Sequence, residues 1–488
     1  MKNKLNLILF CLIIIAGPAE IRAQVSDTVW SIRLNGQASA YYTGLFHVIQ
    51  TTDGLYVAAG TFYTDTTEKD AWVVKFNDKG EVLWNRTYYT DTTQPWIGES
   101  AHEIVETDDG KLVIFTTNTQ YEHHLLFLNA DGEQTNLIKY KDSEDPYYIF
   151  CGAEASDIGF VVAGDHPVWD GNNWIHYSWY KKIDDSGNMI WEHSFPPTNG
   201  SWERFECIGK LPEGGYILAG SSDSPDNYDE LLIVKTNIQG DTIWTKKWGT
   251  AVIDTPYEIV PAPEGGFIVA GQKAYDASYK GFLLKISDNG SEQWFETYND
   301  YSNDEIFSVK PCRDGGYIAT GSFKPYSASY TRLWVFKTDG QGRMVKSLFW
   351  GDEVQGYTGQ SILQTEDGGY ITVGTTFAGG IIVKISPSFG SLGIEDDPVR
   401  NNGGFFLGQN YPNPFNKCTT ISWFQPTDAH VFLKVYDFTG REVKTLVDCE
   451  MVKGKHQVTF DGSGLPEGVY FVGANASNIF LTKKIVKL

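Results

Sequence analysis

From Thr28 to Lys384 the hydrophobic positions fall into short runs rich in β-branched and aromatic side chains, each closed by Asp, Asn or Gly. Such runs predict strands, and no segment with a helical spacing of apolar residues interrupts them. The strands come in sets of four. The first precedes a glycine turn, as in 102–107, 257–260 and 360–365, and the second is an aromatic-Ile/Val-x-x-Gly segment. A third, apolar strand usually ends in lysine (72–75, 232–235, 283–285, 381–384), and a fourth carries Trp84, Trp191, Trp244 or Trp294.

The glycine phrase recurs along the chain, with strong copies at Gly214, Gly265, Gly315 and Gly368 and weaker ones at Gly54, Gly110 and Gly159. A period of about 50 residues exceeds that of leucine-rich and helical repeats and suits a four-stranded propeller blade. The last copy leaves the pattern at Pro387 without a fourth strand. Residues 28–34, which include Trp30, have that strand's character and precede the first copy. The expectation is an all-β chain in which 24–390 form a seven-bladed β-propeller, closed where 28–34 complete the last blade and leave no free sheet edge.

In four copies a glycine stands four positions before the tryptophan: Gly80 and Trp84, Gly187 and Trp191, Gly240 and Trp244, Gly290 and Trp294. This Asp/Asn-x-x-Gly-x-x-x-Trp turn resembles the tryptophan-docking motif of quinoprotein-type propellers. The resemblance implies indoles packed between neighbouring blades. Asn136 and Lys346 depart from it at the tryptophan position in copies two and six. It speaks to architecture only, because function resides in sites rather than in folds.

Composition sharpens this picture. The chain has 488 residues, 50 of them glycine, with 14% aromatic and 41% hydrophobic residues, enough to bury a large core. Sixty-one acidic against 39 basic residues give a net charge of −22, which argues against a nucleic-acid or anionic-membrane partner. Residues 1–23 read as a Sec signal peptide, with Lys2 and Lys4 before an apolar run and a cleavage point after Ala23. Cys11 lies inside that run behind bulky Phe10, an unsuitable place for lipidation. No later apolar run is long enough for a transmembrane segment after signal cleavage. Cys151, Cys207, Cys312, Cys418 and Cys449 show no zinc or haem spacing, and whether Cys418 and Cys449 pair is left open.

Residues 391–404 read as a polar linker, and a different pattern follows. Its segments are Leu407-Gly-Gln-Asn410-Tyr411-Pro412-Asn413-Pro414-Phe415-Asn416, then 435–441 with Gly440, 454–456, Leu465-Pro-Glu-Gly468-Val-Tyr470-Phe471, and 482–488 with Lys483 and Lys484. In this order they resemble the C-terminal sorting domain of the type IX secretion system, a small Ig-like β-sandwich, over 405–488. Lys417-Cys418 departs from the family at a turn that usually continues with proline. The resemblance implies recognition by the type IX machinery and a secreted or outer-membrane-surface location, reached by Sec and then type IX export, in bacteria of the Bacteroidota kind. The alternation in 431–436 agrees with a β-sandwich. Residues 404–488 hold nine basic and seven acidic residues, so the acidity belongs to the repeat array.

In a propeller of this strand order the long, variable loops share one face, where function usually concentrates. The richest is 165–177, in which Asp165, His166, Trp169, Asp170, Asn173 and Trp174 suit stacking on a sugar ring and hydrogen bonding to its hydroxyls. The bland alternative is that both indoles pack the loop onto the blade edge. The acidic stretch 223–230 offers oxygen ligands to calcium without EF-hand spacing, and no cofactor is predicted. Aligned on the glycine turn, His47, Glu103, Cys151, Cys207, Glu258, Ser308 and Ser361 occupy equivalent first-strand positions, a ring that could bind metal or do acid/base work. No lipase, zincin or Walker motif occurs, nor the Cys-Cys pair of a quinoprotein dehydrogenase. The expected function is binding of an extracellular glycan, protein or peptide through the long-loop face. The alternative, less favoured, is a secreted hydrolase or lyase whose site is assembled from several blades.

Overall fold

The computed structural model describes residues 20–21, 28–35, 43–63, 69–89, 98–118, 122–140, 148–154, 158–169, 171–172, 174–195, 203–223, 229–248, 254–275, 278–298, 303–324, 330–351, 356–389, 406–407, 415–425, 427–476 and 479–488. Every regular element among them is a β-strand. The chain divides into two compact units: 1–387 apart from two short segments, and 388–488 together with those segments, 325–328 and 344–348. Most of the signal segment, the linker 391–404 and the acidic stretch 224–228 lie outside the described residues.

In the first unit, five antiparallel four-stranded sheets follow one another, beginning at Glu99–Glu106, Tyr148–Glu154, Glu203–Lys210, Asp254–Pro261 and Glu305–Pro311. A nine-stranded sheet holds the two ends of the array, one of its strands being the two-residue Glu20–Ile21 beside Thr28–Asn35. Gly44–Gln50, Tyr56–Phe62, Asp70–Phe76 and Val82–Tyr88 form one half. A single pairing of Thr375 with Gly44 joins them to Tyr357–Gln364, Tyr370–Thr376, Gly379–Ile385 and Thr28–Asn35. Thr28–Asn35 pairs antiparallel with Gly379–Ile385, bringing Trp30 opposite Lys384, so the segment before the first repeat does supply a strand beside the last.

The alternation of side chains explains why these sheets come as blade-like layers. In Tyr56–Phe62 and Asp70–Phe76 every residue is buried. Tyr56, Ala58, Phe62, Trp72, Val74 and Phe76 point to one side, into a core shared with Ile371, Val373 and Ile382. Val57, Ala59, Ala71 and Val73 point to the other, against Ile104, Leu112, Ile114 and Leu126 of the next sheet. Period-two alternation thus sends successive residues into two different cores.

The tryptophans act across the same boundaries. The Trp30 indole lies over Gly80 in the other half of the nine-stranded sheet, and Trp84 lies over Gly132, Trp191 over Gly240, Trp244 over Gly290 and Trp294 over Gly342, each of these glycines belonging to the turn of the following sheet. Indole N–H groups donate to carbonyls of those turns: Trp30 to Asp78 (2.8 Å), Trp84 to Ala130 (3.2 Å), Trp244 to Asp288 (3.0 Å) and Trp294 to Gly340 (3.1 Å). Where Asn136 replaces tryptophan, Ile138 covers Gly187 instead. The lysines ending the third strands are explained too. Lys75 reaches Asp53 (2.8 Å), Lys235 reaches Glu213 (3.2 Å) and Lys384 reaches Asp367 (2.9 Å), each acid standing in the glycine turn of its own sheet.

In the second unit a three-stranded sheet (Phe406–Leu407, Cys418–Gln425, Gly454–Asp461) and a four-stranded one (Glu442–Met451, Ala429–Asp437, Gly468–Ala476, Ile479–Lys487) share one core. Ile421, Trp423 and Phe460 meet Val431, Leu433, Val435, Val472 and Ile485 there. Cys418 and Cys449 stand on different sheets as exposed free thiols.

A matched pair of substitutions separates the indole contact from backbone strain. Gly54 (φ +79°) has open space where a Cβ would stand, whereas at Gly342 (φ +78°) a Cβ would lie 2.7 Å from the Trp294 ring. Gly54→Ala should cost about 1 kcal/mol. Gly342→Ala should cost at least about 1 kcal/mol more, because the ring must shift. Urea unfolding midpoints of the two variants measure the difference.

Candidate functional site

Two places in the first unit gather side chains with chemistry. The first grows from a hairpin. Phe160–Trp169 and Trp174–Ile183 are ten residues each, and they pair in unbroken register so that Trp169 faces Trp174, Pro167 faces His176 and Asp165 faces Ser178. These pairs share one face. At its tip the two indoles stand 5.5 Å apart between centroids with planes at 59°, and they are 52% and 55% exposed. Each residue is thus about half exposed, with its ring against the other ring.

Below the tip the hairpin turns polar. Buried Asp165 accepts a hydrogen bond from His176, and burial raises its pKa against the pull of His176, Arg204 and His166. Arg204 of the next sheet is bonded to Glu206, whose carboxyl burial also raises. Further round, burial raises Glu305 against its hydrogen bonds from Ser322 and Tyr257. Of the six residues predicted for this loop, Asp165, His166, Trp169 and Trp174 are in or beside it, while Asp170 and Asn173 lie outside the described residues. The Arg204–Glu206 pair and Glu305 were missed by sequence reasoning. For Glu305 the signal was an acid at or beside the start of the first strand, as at Glu99, Glu203, Asp254 and Asp304, all buried; the Arg204–Glu206 pair had no such signal.

The second place is a cavity of about 890 Å³ lined by the first strands of successive sheets. In each of these strands the register with the second strand slips by one residue, between Leu45 and His47, Ala101 and Glu103, Ile149 and Cys151, Phe205 and Cys207, Pro256 and Glu258, Ile306 and Ser308, Gly359 and Ser361. A bulge lets two successive side chains face the same side. Tyr257 and Phe307 therefore line the cavity with the expected ring of His47, Glu103, Cys151, Cys207, Glu258, Ser308 and Ser361.

Amides next to the bulges are taken up by ring side chains of the preceding sheet. Ile104 N–H donates to His47 Nδ1 (3.2 Å), Gly152 N–H to Glu103 (2.9 Å), Val309 N–H to Glu258 (2.6 Å) and Ile362 N–H to Ser308 Oγ (3.3 Å). Val48 N–H donates to Ser361 Oγ (3.3 Å), which carries the pattern from the last sheet to the first. Glu258 also accepts from Ser308 Oγ (2.9 Å) and from Lys310. Enclosure lowers the His47 pKa to about 4 and raises that of Glu103 to about 7, the latter against its bond from Gly152 and the charge of Lys310. It lowers His102 as well, although solvent in the cavity reaches that ring. Among the described residues no three His, Cys, Asp or Glu side chains are placed to hold a metal ion.

In the second unit the terminal strand is anchored at Phe415, which is buried, pairs in parallel with Lys487 and exchanges backbone hydrogen bonds with Val486 (2.9 Å) and Leu488 (2.8 Å). Gly440 has φ +82° in the turn capped by Asp437, and Tyr470 donates to the Pro466 carbonyl (2.8 Å). Lys483 is partly exposed and Lys484 exposed on the last strand, Asn416 is exposed, and Asn410, Tyr411, Pro412, Asn413 and Pro414 lie outside the described residues. Comparison with known families decides what this unit is. Residues 409–488 match the secretion system C-terminal sorting domain. The sorting domain marks the chain for export by the type IX system, to the cell surface or the medium. No helix among the described residues is long and apolar enough to cross a membrane.

No curated protein matches the chain. Among solved structures it is similar to Sqt1 from Chaetomium thermophilum, at 12% identity over 70% of this chain and 82% of that one, with a TM-score of 0.39. A chain from the complex of Drosophila Plexin A with Semaphorin 1b gives 8% identity, 72% and 88% coverage and a TM-score of 0.43. PorZ, a surface component of the type IX secretion system of Porphyromonas gingivalis, gives 9%, 94% and 85%, and 0.27.

Glu103 sets a measurable pH dependence. Its pKa is higher in the folded chain than in the unfolded one, so the folded state holds the proton more tightly and stability falls as pH rises from about 4.5 to about 7. Glu103→Gln cannot titrate and keeps an acceptor for Gly152. The variant should therefore gain on the wild type across that window, by up to about 3 kcal/mol less the screening by cavity water. The opposite effect of His47, lost stability as pH falls below 6.5, is common to both proteins and cancels in the comparison. Chemical unfolding of both proteins at several pH values reads the difference.

Proposed function

We propose that the chain is a type IX cargo protein: a seven-bladed β-propeller over 24–390, preceded by a cleaved Sec signal at 1–23 and followed by an Ig-like sorting domain over 405–488, which binds a saccharide on its long-loop face. The observation that carries the reading is the Trp169–Trp174 pair. Two half-exposed indoles in contact at the end of a hairpin offer an apolar platform of the kind sugar rings stack on. On the same face below them His176, held by buried Asp165, offers its other ring nitrogen to a hydroxyl, His166 stands on the opposite face of the hairpin, and Asp170 and Asn173 fall in the same turn by sequence.

The hydrolase reading has less support. Glu103 and Glu258 come from different sheets and line one cavity, as a catalytic pair would. Glu258, however, is held by Ser308, Val309 and Lys310, a structural engagement that leaves it poorly placed as a base.

Trp169→Ala and Trp174→Ala should each weaken saccharide binding about tenfold, since aromatic stacking contributes on the order of 1 kcal/mol beyond buried area. Thermal stability should stay within about 1 kcal/mol of wild type, both rings being half exposed. A glycan array probed with the full chain and both variants is the measurement, and binding that survives both changes refutes the site. Separately, a chain ending before residue 409 should accumulate in the periplasm. Fractionation that finds it at the surface or in the medium refutes the sorting role.

A further inference from the structure

The central cavity contains three carboxylates contributed by different sheets, Glu103, Glu206 and Glu258. Two of them already have a cation. Glu206 is bonded to Arg204, and Glu258 to Lys310. Glu103 accepts one hydrogen bond, from the Gly152 amide to Oε2, and no cationic side chain is bonded to it among the described residues. A carboxylate taken from water with one backbone donor keeps unfilled acceptor capacity facing the cavity.

The groups around Glu103 do not supply the missing charge. Enclosure lowers the pKa of His47, Cys151 and Cys207 are thiols whose pKa values burial raises, and Lys310, whose charge acts on Glu103 from a distance, is bonded to Glu258. Lys69 and Lys210 also line the cavity, and both have interactions of their own. Part of the lining is aromatic. Tyr257 and Phe307 both line the cavity and stand 4.7 Å apart between centroids. An alkyl ammonium ion combines what these walls ask for: a cation with three donors for a carboxylate, and a hydrocarbon stem for aromatic faces. The volume of about 890 Å³ lies in the range of small-molecule sites.

We propose that the cavity binds a primary alkylammonium group, with Glu103 as its counter-ion and the Tyr257–Phe307 pair against its alkyl stem. This site is distinct from the tryptophan hairpin and does not depend on the saccharide reading. The ammonium comes from a free diamine or from a lysine side chain of a peptide. Both present the same chemistry, and separate probes tell them apart.

The test is calorimetric titration of the full chain with putrescine, with Nα-acetyl-lysine amide and with uncharged 1,4-butanediol. One or both amines should bind and the diol should not. Binding ionises Glu103, so near neutral pH the heat should vary with the ionisation enthalpy of the buffer, reporting proton release. Affinity should fall about tenfold from pH 8 to pH 6 as the carboxyl takes up its proton. Glu103→Gln, which keeps the acceptor for Gly152, should lose at least about tenfold in affinity. Phe307→Leu should lose several-fold, and Trp169→Ala nothing. Binding by putrescine alone assigns the site to free diamines, and binding by the lysine amide assigns it to peptides. Failure of both amines to bind, or Glu103→Gln binding them as tightly as wild type, overturns the proposal.

Discussion

The first unit depends on one constraint: the middle strands of its sheets are apolar on both faces. A sheet such as Gly44–Gln50 to Val82–Tyr88 has no side on which water can lie against Tyr56–Phe62 or Asp70–Phe76, so it cannot stand alone. It needs a neighbour on each side, and the same holds for Leu112–Asn118 and His123–Leu128, whose residues are divided between two cores. A row of such sheets ends satisfactorily only when the last meets the first. The pairing of Thr375 with Gly44, the bond from Val48 to Ser361 and the shared core of Val373, Ile382, Trp72 and Val74 are where that happens. The indoles over turn glycines set the approach at the outer rim, because a side chain in place of those glycines would keep the sheets apart.

At the inner edge the problem is hydrogen bonding. Each first strand has a bulge, and a bulge disrupts the ladder and leaves backbone groups to be paired elsewhere. Side chains of the preceding sheet do this at His47, Glu103, Glu258, Ser308 and Ser361. Polar and ionisable residues thus line the cavity first for a structural reason. This limits what their presence implies about function, and it gives a criterion. A ring residue whose acceptor capacity is used up, like Glu258, is explained by the fold, whereas one with capacity left over, like Glu103, is not.

Much of this was legible in the sequence because it repeats. The glycine turns, the lysine that ends the third strand and the tryptophan of the fourth recur at fixed offsets, and the ring positions follow from aligning them. What repetition hides is the partner. The docking resemblance implied indoles between neighbouring blades without saying which glycine each would meet; Trp244 covers Gly290 and Gly240 lies under Trp191, because strand pairing carries the indole past its own turn to the next sheet. Ile138 replacing the missing tryptophan was invisible for the same reason: it stands two positions further on, and only the register shows that its side chain reaches Gly187. The bulges left no mark in the sequence pattern. Their consequence, Tyr257 and Phe307 facing the cavity beside Glu258 and Ser308, could not be read from alternation, which sends neighbours to opposite faces.

The charge distribution bears on both sites. All of the net negative charge lies before residue 404, since 404–488 carry a small positive excess, and a field of that sign repels anions and concentrates cations near the surface that produces it. An uncharged saccharide at Trp169 and Trp174 is indifferent to the field, whereas a sulfated or uronic-acid glycan must approach against it and against Asp165 beneath the indoles. An ammonium ion moves with the field towards a cavity where Glu103 is the carboxylate still lacking a cation. The acidity of the repeat array, which at first only excluded nucleic acids, therefore favours the two proposed ligand classes over their anionic counterparts: a neutral saccharide at the hairpin, a cation in the cavity.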